Sequence, residues 1–182
     1  ALIEDWLRRE RAREVFRNFG RYLVEFFAIH RRPAPQVAVE GGHHLSAVRQ
    51  RGRGAIILSS HLGNWELGAI FLRRMGIPLS VVVLEHPDPR TDRLFNAQRE
   101  RCGLQVIPLG VHATRQCLRR LRAGHLVGLM GDRDFSGHEV RSNVCGRTLS
   151  LPRGPAVLSL RAQAPVVPSF LLREGRWKFR FC

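Results

Sequence analysis

The fold of this chain is decided by residues 55–66, which read AIILSSHLGNWE. The first five residues form a short apolar run, as expected of a buried strand. A turn follows, in which Gly63 allows a sharp bend and Asn64 is placed to cap a helix. The segment therefore predicts a strand, a tight turn and a helix, which is the repeating unit of a layered α/β fold.

The same alternation extends in both directions from this segment. We predict strands at 37–39, 55–59, 79–84, 104–107, 125–130, 165–172 and 176–181, and helices at 45–50, 64–74, 90–102, 113–122 and 155–163. Alternating strands and helices predict a single α/β domain, with a mostly parallel central sheet flanked by helices. We expect this domain to occupy residues 33–182.

An amphipathic helix is predicted ahead of that domain, over residues 2–30 of an amino-terminal segment 1–32. Apolar residues such as Val15, Phe19 and Phe26 recur with the helical period, and the opposite face carries Arg17 and Arg21 among other arginines. Two arrangements remain open. The helix lies on a membrane with its arginines at the headgroups, or it packs on the core with its charges in solvent.

The net charge is +15 and the sequence pI is near 11.6, which suggests an anionic partner. Nucleic acid, anionic lipid and an acidic carrier protein are all candidate partners. The base composition of a genome can also enrich a protein in arginine, so the charge permits an anionic partner without proving one. No apolar run approaches the roughly 20 residues that a membrane-spanning helix needs. No signal peptide is visible, and the first residue is Ala1, so we expect a fragment.

The four cysteines show neither disulfide nor zinc-ligand spacing. Free thiols are the simplest interpretation. The histidines show no ligand spacing either, and we expect no metal site.

His61 lies at the carboxyl end of a predicted strand, where parallel α/β sheets bind ligands. Glu66 is five positions further on, about 140° away if both were on one helix. With His61 in the turn and Glu66 in the first helical turn, the two side chains can meet. Such a pair makes a general base that deprotonates a hydroxyl. The alternative is a surface histidine beside a capped helix whose dipole favours the glutamate.

Four blocks of this sequence resemble the motifs of one enzyme family. His61-Leu-Gly-Asn-Trp-Glu66 is similar to the H-x4-D/E motif of the glycerolipid and lipid A acyltransferases. The other blocks, in the same order as in the family, are 99–103, 131–137 and 146–168. Nearly the whole chain thus resembles the bacterial lipid A biosynthesis (lauroyl/myristoyl) acyltransferases, within the glycerolipid/lysophospholipid acyltransferase superfamily.

The resemblance implies a glycerol-3-phosphate acyltransferase-like fold and a reaction without cofactor or covalent acyl-enzyme. His61 would act as general base, oriented by Glu66, while acyl carrier protein or acyl-CoA donates the acyl group. The acceptor would be a lipid A precursor at the cytoplasmic face of the inner membrane. Phosphatidylinositol mannosides, ornithine lipids and lysophospholipids are alternative acceptors. A basic surface would steer acidic carrier protein and anionic lipid to the site. Family members also carry an amino-terminal anchor and a further carboxyl-terminal portion.

Within the blocks that resemble the family, we expect six residues to bind substrate. They are Asn64, Arg99, Arg101, Asp132, Asp134 and Arg153. Arg99 and Arg101 are two positions apart on a helix, so at most one faces the site. The two aspartates lie on one side of a strand end, where they position arginines or a sugar, or simply cap a turn. Arg153 precedes a helix start, which suits an anion or is structural only.

A function of another class remains as a rival, namely a basic nucleic-acid-binding or membrane-binding module without catalysis. The charge supports it. The arginines are scattered, however, and the sequence contains no recognised nucleic-acid module. We therefore expect no nucleic-acid partner.

Overall fold

A computed structural model describes residues 2–135, 137 and 139–182. The chain forms two compact units, Ala1–Gln36 and Val37–Cys182. The first consists mainly of α1 (Leu2–Ala28), close to the predicted helix. Val15, Phe16 and Phe19 are 67%, 77% and 51% exposed, so the middle of α1 leaves apolar side chains in solvent. Among the described residues, we find no helix of the length and hydropathy required to cross a membrane.

The remaining elements alternate as the sequence predicts. They are β1 (Gln36–Val39), α2 (Gly42–Gln50), β2 (Ala55–Ser59), α3 (Trp65–Arg74), β3 (Leu79–Val83), α4 (Pro89–Arg101), β4 (Gln105–Pro108), α5 (Ala113–Arg122), β5 (Leu126–Met130), β6 (Glu139–Val144), β7 (Arg147–Pro152), α6 (Gly154–Ala162), β8 (Val166–Pro168), β9 (Leu171–Gly175) and β10 (Lys178–Phe181).

Five strands form a parallel sheet in the order β4-β3-β5-β2-β8, which confirms the predicted α/β architecture. The chain moves one way along the sheet from β2 to β3 to β4, and then returns to β5. Because parallel crossovers are right-handed, α3 and α4 cover one face of the sheet and α5 the other. On the α5 face, Cys117, Leu121 and Leu158 are buried in one cluster with strand residues Ile56 and Val127.

Two parts of the fold differ from the prediction. The strand predicted over 165–172 is two strands, because the chain leaves the parallel sheet after Pro168 and joins a second sheet as β9. That sheet has the order β1-β10-β9, and β9 pairs with β10 in antiparallel fashion. The hairpin β6–β7 was not predicted. The residues of both strands are mostly exposed. The sequence there has no continuous apolar run of the kind that predicts a buried strand.

Burial raises the pKa of two of the four thiols. Cys117 is buried in the α5 cluster, and this burial raises its pKa to about 11. Burial also raises the pKa of Cys102. Because the thiolate is the nucleophilic form, neither thiol is suited to nucleophilic catalysis near neutral pH.

Candidate active site

The carboxyl ends of two neighbouring strands bring His61 and Asp132 together. Strands β2 and β5 pair in parallel with Ser59 opposite Met130, and each candidate residue comes two positions later. The Gly131 amide donates to the Ser59 carbonyl over 2.8 Å. A Cβ at Gly131 would lie 2.8 Å from Leu58 Cδ1, so glycine permits this close approach. Both side chains therefore emerge at the same edge of the sheet.

The Asp132 carboxylate holds both the imidazole and the backbone amide of His61. The imidazole Nδ1 lies 2.9 Å from Asp132 Oδ1 and 3.1 Å from Oδ2. The His61 backbone amide donates to Oδ2 over 3.2 Å. The indole of Trp65 meets the imidazole edge-on, with ring centroids 4.9 Å apart. The imidazole is thus fixed in orientation while 28% of its side chain stays exposed.

This arrangement has a definite chemical consequence. An ionised carboxylate only accepts hydrogen bonds, so it selects the tautomer of His61 that carries its proton on Nδ1. The other ring nitrogen, Nε2, then presents a lone pair. A hydroxyl brought to Nε2 can lose its proton to the ring, and Asp132 stabilises the imidazolium that results.

Glu66 is paired with Arg99 and not with His61, in contrast to the expected pairing. It lies in the first turn of α3, only 4% exposed, and forms a salt bridge with Arg99 of α4. Arg99 Nε donates to Glu66 Oε1 over 3.0 Å, and Nη2 donates to the same oxygen over 2.5 Å. The bend at Gly63 turns Glu66 inward towards α4, whereas His61 lies before the bend, beside β5. The catalytic assignment of His61 and Glu66 stays a prediction.

The two arginines predicted to bind substrate take different positions. Arg99 Nη1 donates to Asn96 Oδ1 over 2.8 Å, and its guanidinium lies 5.6 Å from the centre of the Phe95 ring. The Arg99 side chain is only 13% exposed, and its guanidinium is occupied by the salt bridge with Glu66. Arg101 is exposed on α4. Arg99 is therefore the one that faces inward, and a role in substrate binding for either stays a prediction.

Asn64 caps α3, as predicted, by accepting a hydrogen bond from the Leu67 amide over 3.1 Å. The Asn64 side chain is buried, and its backbone amide donates to the Leu171 carbonyl of β9 over 2.9 Å. Asp134 is half-buried after β5, and Arg153 is exposed immediately before α6. These placements leave the predicted substrate contacts of all three residues untested.

Replacing Gly63 by alanine is expected to destabilise the fold by about 2 kcal/mol or more. Gly63 has a φ of +71°, and a Cβ there would lie 2.1 Å from the Leu171 carbonyl oxygen. Left-handed backbone strain of about 1–2 kcal/mol therefore adds to a clash with backbone. Urea unfolding measures the loss. Gly52→Ala is the matched control, because Gly52 has a φ of +65° and no atom near its Cβ position. Equal losses in the two variants would contradict the role of the clash.

Comparison with known proteins identifies a family and related proteins. A family model described as bacterial lipid A biosynthesis acyltransferase matches residues 4–182. A Mycobacterium tuberculosis (strain H37Rv) protein named phosphatidylinositol mannoside acyltransferase is 32% identical, covering 90% of this chain and 55% of that protein. A protein of the same name from Mycolicibacterium smegmatis is 29% identical, covering 87% of this chain and 54% of its own length.

The chain spans about half the length of these relatives. The matched region nevertheless contains both strand ends that carry His61 and Asp132, and both helices joined by Glu66 and Arg99. Since the family model covers almost every residue from the first helix to the last strand, this chain belongs to the bacterial lipid A biosynthesis acyltransferase family.

Proposed function

We propose that this chain catalyses transfer of a fatty acyl group from a thioester donor to a hydroxyl of a membrane glycolipid. The observation that carries the proposal is the His61–Asp132 pair, joined by a 2.9 Å hydrogen bond at the carboxyl edge of the parallel sheet. An oriented, partly exposed imidazole is suited to activating an alcohol. Membership of an acyltransferase family supports the same reaction.

The proposed reaction proceeds by direct transfer. His61 Nε2 takes the acceptor's hydroxyl proton as the oxygen attacks the thioester carbonyl carbon. The resulting oxyanion needs hydrogen-bond donors. The amides of His61, Leu62 and Asn64 already donate to other groups, so we propose a remaining amide of the turn after β2 or a nearby arginine as the donor. The intermediate then collapses, the carbon–sulfur bond breaks, and the imidazolium returns the proton to the departing thiolate. An ester and a free thiol are the products.

For the acceptor, we propose a phosphatidylinositol mannoside. Proteins named for that acyl transfer are 32% and 29% identical to this chain across the region that holds the site. A lipid A precursor is the second candidate, favoured by the description of the family model. Both acceptors are glycolipids that present sugar hydroxyls next to anionic groups.

For the donor, we propose acyl carrier protein, with acyl-CoA as the alternative. The net charge of +15 supports an acidic carrier and an anionic membrane surface as partners. The proposed site of action is the cytoplasmic face of the bacterial inner membrane, where thioester donors and nascent glycolipids meet.

Transfer of a labelled palmitoyl group tests this function. The protein is incubated with palmitoyl carrier protein or palmitoyl-CoA and, in parallel, with a phosphatidylinositol mannoside, a tetraacylated lipid A precursor or a lysophospholipid. We expect the labelled ester on the phosphatidylinositol mannoside, identified by mass spectrometry. A labelled ester on the lipid A precursor alone would show that this lipid, and not a phosphatidylinositol mannoside, is the acceptor. Absence of an ester on every lipid would refute the acyltransferase proposal.

A further inference from the structure

The hairpin β6–β7 has its apolar face in solvent. Its register pairs Val140 with Leu151, Ser142 with Leu149 and Val144 with Arg147. Opposite residues of an antiparallel pair share a face, and faces alternate along each strand. One face therefore carries four aliphatic side chains, those of Val140, Val144, Leu149 and Leu151, together with Ser142 and, near the tip, Arg147.

The other face of the hairpin is polar. It carries Glu139, Arg141, Asn143, Thr148 and Ser150, with Pro152 opposite Glu139. Such a two-sided pattern normally marks a sheet whose apolar face packs on a core. Here Val140, Val144 and Leu149 are instead 48%, 38% and 43% exposed. Within the described residues, neither strand pairs with a third strand.

The hairpin arises beside the candidate active site. Strand β6 begins seven residues after Asp132, and β7 leads directly into α6. Because β8 is parallel to β2, the chain between β7 and β8 starts at the carboxyl edge of the sheet, where His61 lies. Phe135, in the segment between Asp132 and the hairpin, is 55% exposed. Six-residue strands extend about 20 Å, enough to reach well beyond that edge.

Charge indicates what covers the apolar face. Residues 139–153 contain three arginines and one glutamate, a net charge of +2, and all three arginines are exposed. Arg147 lies on the apolar face and Arg153 follows β7, whereas Arg141 lies on the polar face. A second copy of the chain would bring two molecules of net charge +15 together, which repulsion disfavours. An anionic bilayer satisfies both features, since headgroups attract arginines and the interface accepts aliphatic side chains.

We propose that the apolar face of β6–β7 inserts into an anionic bilayer and holds the carboxyl edge of the sheet against the membrane. This inference rests on the proposed function, because a lipid acceptor must reach His61 from the bilayer. An inserted hairpin leaves the site next to the surface at which such a lipid is embedded. A depth of about 5–10 Å is expected for an element at the interface.

The exposed thiol of Cys145, at the tip of the hairpin, provides a direct probe. With Cys102→Ser and Cys182→Ser in place and Cys117 buried, a polarity-sensitive fluorophore is attached there in the full chain. We expect its emission to move to the blue with vesicles of phosphatidylcholine and phosphatidylglycerol. Vesicles of phosphatidylcholine alone are expected to leave it largely unchanged. Emission that stays water-like on bound protein would overturn the proposal.

Matched variants separate insertion from general attraction. Val144→Thr with Leu149→Thr keeps residues that favour strands but removes aliphatic surface, and we expect the fluorescence-detected affinity for the anionic vesicles to fall about tenfold. Asn143→Thr with Thr148→Ser alters the polar face and should leave that affinity within about twofold. Equal effects of the two pairs would contradict insertion by the apolar face. So would an emission shift that depends on protein concentration without vesicles, since that indicates a second copy.

This test and the test of function fail independently. The vesicles contain neither donor nor acceptor, so the fluorescence change requires no turnover. Insertion without acyl transfer to any lipid would overturn the proposed function alone. Acyl transfer by a protein whose Cys145 probe stays in water would overturn the insertion alone.

Discussion

His61→Ala is expected to lower kcat for acyl transfer by about 10³-fold, the middle of the range for removing a general base. The loss arises because the acceptor hydroxyl then has no base at the carboxyl edge of the sheet. Asp132→Asn is expected to give a smaller fall, since the imidazole remains but loses the carboxylate that holds Nδ1–H at 2.9 Å. Steady-state kinetics at saturating donor and acceptor measure both effects.

Leu62→Ala is the matched control for this prediction. Leu62 lies in the same turn and is 56% exposed, so truncating it removes little packing. We expect its kcat to stay within about twofold of the parent. Far-ultraviolet circular dichroism and urea unfolding establish that all three variants fold. A folded His61→Ala protein with nearly unchanged kcat would rule out the proposed general base.

Arg99→Met is expected to destabilise the fold by about 3–5 kcal/mol, the typical cost of leaving one partner of a buried ion pair alone. Glu66 would remain in a site where its side chain is only 5% exposed. The substitution also removes the salt bridge that joins α3 to α4. Combining Arg99→Met with Glu66→Gln should recover part of the loss, because the buried charge is then removed as well.

The control for the ion pair is Arg101→Met, two residues along the same helix. Arg101 is exposed, and an exposed substitution of this kind usually changes stability by less than about 0.5 kcal/mol. Urea unfolding midpoints of the three variants and the parent provide the comparison. Equal midpoints for Arg99→Met and Arg101→Met would show that the Glu66–Arg99 pair does not stabilise the fold.

Local sequence was sufficient where the physical determinants are local. The buried run of residues 55–59, the bend at Gly63 and the cap at Asn64 all depend on neighbours in the chain, and the structure has each of them. The hairpin β6–β7 escaped prediction because its strands bury little surface. Without a buried run the sequence resembles a loop, although Gly146 was a usable turn signal. The structure shows positive φ at both Cys145 and Gly146.

Local sequence is sufficient to predict the α/β class, the alternation of strands with helices and the position of His61 at a strand end. Which carboxylate meets His61 depends instead on how distant segments pack together. Strand order is set by packing between distant segments, and this order puts β5 next to β2, so that Asp132 reaches the imidazole from 71 residues away. Glu66, only five residues from His61, is turned by the bend at Gly63 towards Arg99 of α4. Proximity in sequence suggested a His61–Glu66 pair. The arrangement of strands and helices instead forms two pairs, His61–Asp132 and Glu66–Arg99.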